Sequence, residues 1–98
     1  MNIVKTSEGT KLTFAIEGRL DTTTAPQLEE EVKGALTGVT ELVFDFSQLE
    51  YLSSAGLRVI LAAQKIMNKQ GRMVIHHVNE TILEVFEVTG FCEILTIE

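Results

Sequence analysis

The stretch that decides the fold is residues 50–61, which read Glu-Tyr-Leu-Ser-Ser-Ala-Gly-Leu-Arg-Val-Ile-Leu. Two adjacent hydroxyl side chains, Ser53 and Ser54, precede apolar residues at helical spacing, namely Leu57, Ile60, Leu61, Ile66 and Met67. The spacing predicts a helix with one apolar face, and either serine can cap its start. Free N–H groups and the positive end of the helix dipole also favour a phosphate there. The pair is therefore either a simple cap or a cap beside a phosphorylation site.

Composition limits the classes of function that this chain can have. Its 98 residues, 45% of them hydrophobic, predict one domain spanning residues 1–98. A net charge of −6 argues against nucleic acid and favours partners with basic surfaces. The single cysteine, Cys92, allows no internal disulfide, and no apolar run approaches the ~20 residues that span a bilayer. We therefore expect a cytoplasmic protein that is neither exported nor inserted in a membrane.

The chain begins with a predicted β-hairpin and a helix. Ile3–Thr6 and Lys11–Glu17 are two strands joined by a short turn, and Gly18 is expected to close the second strand. A first helix begins at Thr24, which forms a capping box with Gln27, and stops at Gly38. Its apolar stripe consists of Leu28, Val32, Ala35 and Leu36.

Strands and helices alternate through the rest of the chain. The predicted elements are a buried strand over Glu41–Ser47, the central helix ending near Gly71, a strand over Arg72–His77, a third helix capped by Asn79, and a closing strand or extended tail over Ile94–Ile97. The order is ββαβαβα with a possible last strand. This order predicts an α/β fold of two layers, with three helices and a mixed, mostly parallel sheet of four to five strands.

Three connections follow the carboxyl ends of the predicted parallel strands. They are Asp21–Thr24, Ser47–Ser54 and His77–Asn79, and together we call them the carboxyl edge. Sheets of this kind usually bind ligands or partners at this edge. We therefore expect the functional residues here.

Catalytic and metal-binding interpretations have little support in the sequence. Ser54, Asp45 and either His76 or His77 supply the residue types of a hydrolytic triad, but no G-x-S-x-G elbow surrounds the serine. Neither of the glycine-rich motifs that cradle phosphates is present, and the histidines lack further metal ligands at usable spacing. We expect no cofactor, no metal and no enzymatic activity, with a small serine hydrolase or a nucleotide-binding protein as the distant alternative.

Several motifs together resemble one family. Gly18–Asp21, Asp45–Ser47, Leu49, Tyr51–Leu57 and the later Val88–Phe91 with Ile94 are similar to the signature of STAS domains, specifically bacterial anti-sigma factor antagonists. The similarity extends over essentially the whole chain. It implies a STAS-like fold and a non-catalytic protein that binds other proteins.

The resemblance also implies a phosphorylation switch. The second residue of the Ser-Ser-Ala-Gly segment is phosphorylated in that family by an anti-sigma factor kinase, and this residue is Ser54 here. Ser53 stands where many members have Asp. The unphosphorylated form would bind the anti-sigma factor and release the sigma factor, and a phosphatase would reset the system.

The expected partner surface combines the carboxyl edge with the exposed faces of the first two helices. Its candidate residues are Asp21, Thr23, Ser53, Ser54 and Arg58. The alternative is a STAS subunit of a transporter or stress-signalling complex, in which Ser54 is not phosphorylated.

Overall fold

The computed structural model describes all residues 1–98 and contains five strands, three helices and a 3-10 turn. The strands are β1 (Asn2–Glu8), β2 (Lys11–Leu20), β3 (Glu41–Asp45), β4 (Leu49–Leu52) and β5 (Arg72–His76). The helices are α1 (Ala25–Ala35), α2 (Ser54–Met67) and α3 (Glu80–Thr89), and the 3-10 turn at Phe91–Glu93 follows α3.

The strands form one mixed sheet in the order β1-β2-β3-β5, with β4 paired to β2. β1 and β2 are antiparallel, and the other pairs are parallel. The predicted α/β class and the mostly parallel sheet are therefore confirmed. After the 3-10 turn the chain adds only one parallel bridge, between Ile75 and Ile97, so residues 94–97 form no full strand.

The predicted element order was wrong in one respect, because the chain contains β4 and the order is ββαββαβα. β4 has four residues, of which only Leu49 and Leu52 are buried, so its sequence resembles a loop. Its partner is the end of β2, which continues to Leu20 instead of closing at Gly18. Gly18 has φ +95° at a shift in register, and its N–H donates to Gln48 O at 3.0 Å. This irregularity lets β2 pair with β3 along its first part and with β4 at its end.

All three helices pack on the same face of the sheet. Leu28 of α1, Ile60 of α2 and Phe86 of α3 belong to one buried cluster with Phe14 and Phe44 of the sheet. Val43 and Val74 are buried but lie outside this cluster, as strand alternation requires for residues on the opposite face. The two-layer arrangement is confirmed.

The helix ends differ from the prediction at three places. α1 ends at Ala35 with Leu36 as its C-cap, instead of stopping at Gly38. Thr24 precedes α1 but forms no capping box: its Oγ1 accepts from Asp21 N–H at 2.8 Å and donates to Arg19 O at 2.8 Å, which leaves it unavailable to the helix. α2 ends at Met67 rather than near Gly71, because Lys69 and Gln70 form tighter i→i−3 bonds in the last turn. The cap of α3 is confirmed, since Asn79 Oδ1 accepts from Ile82 N–H at 2.9 Å.

Candidate functional site

The start of α2 lies against the end of β2 because Gly56 has no side chain. A Cβ on Gly56 would lie 2.7 Å from Leu20 Cγ and 2.8 Å from Leu52 Cδ1. In the same place Ser53 N–H donates to Leu20 O at 2.9 Å. The two serines are therefore held beside Asp21, which follows Leu20 in the chain.

The two serines have different surroundings. Ser53 is the N-cap of α2, and its Oγ accepts from Gly56 N–H at 3.4 Å. Ser54 is the first helical residue, its side chain is exposed, and it forms no side-chain hydrogen bond within the protein. The cap is therefore provided without Ser54, whose hydroxyl is free to react or to contact a partner.

Asp21 organises the connection between β2 and α1. Its Oδ1 accepts from Thr23 Oγ1 at 2.7 Å, from Thr23 N–H at 3.0 Å and from Thr24 N–H at 3.2 Å. The Thr23 hydroxyl, followed by these N–H groups, lowers the pKa of Asp21 below its ordinary value. Asp21 therefore carries a stable negative charge on the carboxyl edge, and Thr23 is exposed beside it.

Arg19 and Tyr51 form a stacked pair that was not predicted. They are opposite each other in the β2–β4 register, and the Arg19 guanidinium carbon lies 4.2 Å from the centroid of the Tyr51 ring. Arg19 Nε also lies 3.8 Å from Asp21 Oδ2. The pair depends on the strand β4, and the only signal in the sequence was an aromatic residue two positions before Ser53.

Arg58 lies in a groove between α1 and α2. The groove is lined by Thr22, Ala25, Pro26, Glu29, Ala55, Arg58, Val59 and Ala62. Arg58 is one helical turn beyond Ser54, both are exposed, and Arg58 forms no ion pair. A group bound at Ser54 would therefore have a cation within reach.

Asp45 and His77 form a separate pair at the carboxyl edge. His77 Nδ1 lies 3.0 Å from Asp45 Oδ1, which also accepts from Ser47 N–H at 3.0 Å, and His77 has φ +61°. Partial burial acts to raise the pKa of Asp45, but the Ser47 N–H and the His77 ring outweigh it and hold this pKa below its usual value. No hydrogen bond joins Ser54 to either histidine, so the residues of the hydrolytic alternative do not form a triad. No group of three or more His, Cys, Asp and Glu side chains is arranged to hold a metal ion.

The architecture agrees with the comparison to known families. The family model of the STAS domain matches residues 2–98. The chain belongs to the STAS domain family. Among its relatives, BtrV of Bordetella bronchiseptica, provisionally named an anti-sigma factor antagonist, is 35% identical over 88 residues, which are 88% of this chain and 76% of BtrV. The anti-sigma-B factor antagonist of Listeria monocytogenes is 29% identical over 104 aligned positions, covering 100% of this chain and 90% of that protein.

Solved structures support the same fold for this STAS domain. The Bacillus protein SpoIIAA is an anti-sigma factor antagonist whose structure is known in two forms. The unphosphorylated form gives a TM-score of 0.79 at 17% identity, covering 99% of this chain and 87% of that one. The phosphorylated form gives a TM-score of 0.78 at 18% identity, covering 99% and 91%. At these identities the likeness establishes the fold.

The STAS domain brings the predicted site residues to one region. Ser53, Ser54, Asp21 and Thr23 lie at the junction of β2, β4 and α2, and Arg58 follows on α2. His77 and Asp45 form their own pair. None of the helices has the length and apolar character needed to cross a membrane.

Proposed function

We propose that this STAS domain is an anti-sigma factor antagonist that is controlled by phosphorylation of Ser54. In the unphosphorylated form it binds an anti-sigma factor of the serine kinase type and thereby releases the sigma factor. Phosphorylation of Ser54 ends this binding, and a phosphatase restores it. Like sigma factors themselves, such a regulator acts in the cytoplasm.

The observation that carries the proposal is the division of roles between Ser53 and Ser54. A kinase needs an accessible hydroxyl, and Ser54 is exposed and has no side-chain hydrogen bond. Because Ser53 already accepts the bond from Gly56 N–H, Ser54 can be modified without removing the cap. The names of the relatives support the coarser part of the proposal, antagonism of an anti-sigma factor.

Electrostatics explains how the modification would act on binding. A phosphate adds about −1.5 to −2 charges at neutral pH. It would join Asp21 and Glu50 on the same edge of a protein whose net charge is already −6. The N-terminus of α2 and the unpaired Arg58 stabilise this charge locally, so the fold tolerates it. A partner whose contact surface fits the neutral hydroxyl must desolvate the phosphate, and this cost weakens binding.

The proposed partner surface surrounds Ser54. It includes Asp21, Thr23 and Ser53 at the carboxyl edge and Arg58 in the groove between α1 and α2. Asp21 and Arg58 carry opposite charges, which would orient a partner that presents a cation to one and an anion to the other.

The experiment is phosphorylation of the purified chain by its anti-sigma factor with Mg-ATP. Intact mass and phosphosite mapping give the product, and calorimetry gives the affinity of each form for the anti-sigma factor. We expect one phosphate on Ser54, none in Ser54→Ala, and at least a tenfold loss of affinity in the phosphorylated form, equivalent to about 1.4 kcal/mol.

Ser53→Ala is the matched control, because it changes the neighbouring hydroxyl and leaves the proposed acceptor in place. We expect Ser53→Ala to be phosphorylated once, as the natural chain is. A phosphate on Ser53 instead of Ser54 would overturn the assignment. A partner that binds both forms equally would overturn the switch and favour a constitutive STAS subunit of a larger complex.

A further inference from the structure

The net negative charge of this chain is concentrated in its last quarter. Residues 1–72 contain nine acidic and eight basic side chains, which nearly cancel. Residues 73–98 contain five glutamates and no lysine or arginine. Four of these five glutamates lie in α3 and the 3-10 turn that follows it.

The outer surface of α3 is apolar at its centre. Val88 is 87% exposed, the most exposed large hydrophobic side chain of the protein. It lines a shallow groove with Thr81, Glu84, Val85 and Thr89, which we call the α3 face. Positions 81, 85 and 88 follow helical spacing, while Ile82 and Phe86 on the other side of α3 are buried in the core. Since core packing occupies only the inner side, Val88 has no role in it.

Carboxylates without partners lie along one side of this apolar stripe. Glu80, Glu84 and Glu87 of α3 and Glu93 beyond it take part in none of the six ion pairs of the protein. An exposed valine beside uncompensated glutamates gives no stability to the isolated chain. The pattern is complementary to a surface that is apolar along one line and positively charged beside it.

We propose that the α3 face is a second docking surface, which binds a basic amphipathic helix of another protein. Apolar side chains of that helix cover Val85 and Val88, and its lysines or arginines pair with Glu84 and Glu87. The α3 face shares no residue with the groove between α1 and α2. The proposal therefore does not depend on the phosphorylation switch.

The charge pattern argues against two other occupants. In a twofold dimer of this chain through α3, the glutamates of one copy would face those of the other, which is repulsive. An anionic membrane surface would be repelled by the same carboxylates.

The test uses the full-length chain labelled with ¹⁵N and a synthetic helical peptide of about 18 residues, long enough to be helical when bound. The peptide has leucines at i, i+4 and i+7 flanked by lysines. One control peptide has the same composition in scrambled order, and another has glutamates in place of the lysines. We expect amide shifts confined to α3 and the following turn, seen only with the first peptide.

Matched variants separate the apolar and the charged contributions. Val88→Ser and Glu84→Lys should each lower the affinity for the peptide about tenfold, since either change removes one of the two complementary features. Val4→Ser on β1 and Glu30→Lys on α1 make the same chemical changes at exposed positions elsewhere and should leave the affinity unchanged.

Three results would overturn the proposal. The first is equal binding of the scrambled peptide, or shifts centred on Asp21 and Ser54. The second is a concentration-dependent dimer, seen by light scattering, that Val88→Ser abolishes, because it would identify a second copy as the occupant. The third is binding to vesicles of anionic lipid that Val88→Ser abolishes, because it would identify a membrane.

Discussion

Ser53 and Ser54 differ in what their hydroxyls bond, and this difference predicts unequal effects on stability. Ser53→Ala removes the acceptor for Gly56 N–H and should lower the free energy of unfolding by about 1 kcal/mol. Ser54→Ala removes an exposed hydroxyl without a partner and should change the free energy of unfolding by less than about 0.5 kcal/mol. Urea denaturation of both variants measures the difference. Equal losses would contradict the assignment of the cap to Ser53.

Gly56 is required by a close approach between α2 and β2. In Gly56→Ala the new methyl group would lie 2.7 Å from Leu20 Cγ and 3.0 Å from Leu20 O, so α2 must move away. We expect a loss of about 1–3 kcal/mol in stability and a displaced Ser54. Gly34→Ala in α1 is the control, because a Cβ there meets nothing within 4 Å. It should stabilise the protein by about 0.5–1 kcal/mol, and both variants are compared by chemical denaturation. A neutral Gly56→Ala would show that the contact is not close.

The lowered pKa of Asp45 predicts that the protein loses part of its stability in acid. Its pKa in the folded state lies below the ordinary value of 3.8, which the unfolded chain approaches. Its carboxylate therefore stabilises the fold above the unfolded pKa, and this contribution is lost as the pH falls through the folded pKa. Asp45→Asn should be less stable than the natural chain at about pH 7, and the difference should shrink by about pH 3.

Thermal denaturation at the two pH values measures the Asp45 effect. Glu8→Gln, at an exposed residue next to the hairpin turn, is the control, and at about pH 7 we expect it to change stability less than Asp45→Asn does. A difference for Asp45→Asn that stays constant between the two pH values would contradict the assignment.

At the scale of elements, β4 decides where the serines lie. It aligns with the end of β2 only because Gly18 adopts φ +95° at the shift in register. Gly18→Ala would strain this position by about 1–2 kcal/mol and weaken the β2–β4 pairing. Hydrogen exchange should then quicken at Ser53 N–H, which bonds Leu20 O, more than at amides of β3 and β5. Uniform quickening across the sheet would instead indicate global destabilisation.

At the scale of the whole molecule, phosphorylation should leave the fold intact. The added charge lies at a helix N-terminus on the surface, and the buried cluster that joins all three helices to the sheet does not include Ser54. We expect unchanged far-ultraviolet circular dichroism, with amide shifts confined to the carboxyl edge and the first turn of α2. Melting of α2 in the phosphorylated form would show that the switch acts by refolding instead of by surface charge.

Much of this protein follows from its sequence, because the deciding signals are local. Helical spacing after Ser54, the Asn79 cap, alternation in β2 and the continuous apolar run of β3 each predict an element from neighbouring residues. The parallel crossovers then place the serines at one edge with Asp21. The resemblance to STAS domains rests on the same short segments.

Three features were decided only by the tertiary structure. They are the choice of the serine that caps α2, the hydrogen bonds of the Thr24 hydroxyl, and the pairing of residues 49–52 with β2. Either serine could serve as the N-cap, because both side chains carry a hydroxyl. Which one does so depends on how closely α2 approaches Leu20, and Gly56 permits that close approach. β4 is too short and too exposed to be predicted from its own residues, since its hydrogen bonds come from a partner about 30 positions earlier in the chain. The stack of Arg19 on Tyr51 depends on that pairing and could not be predicted from the sequence for the same reason. Local patterns therefore determined the elements of this protein, whereas contacts between residues distant in sequence determined the geometry of its site.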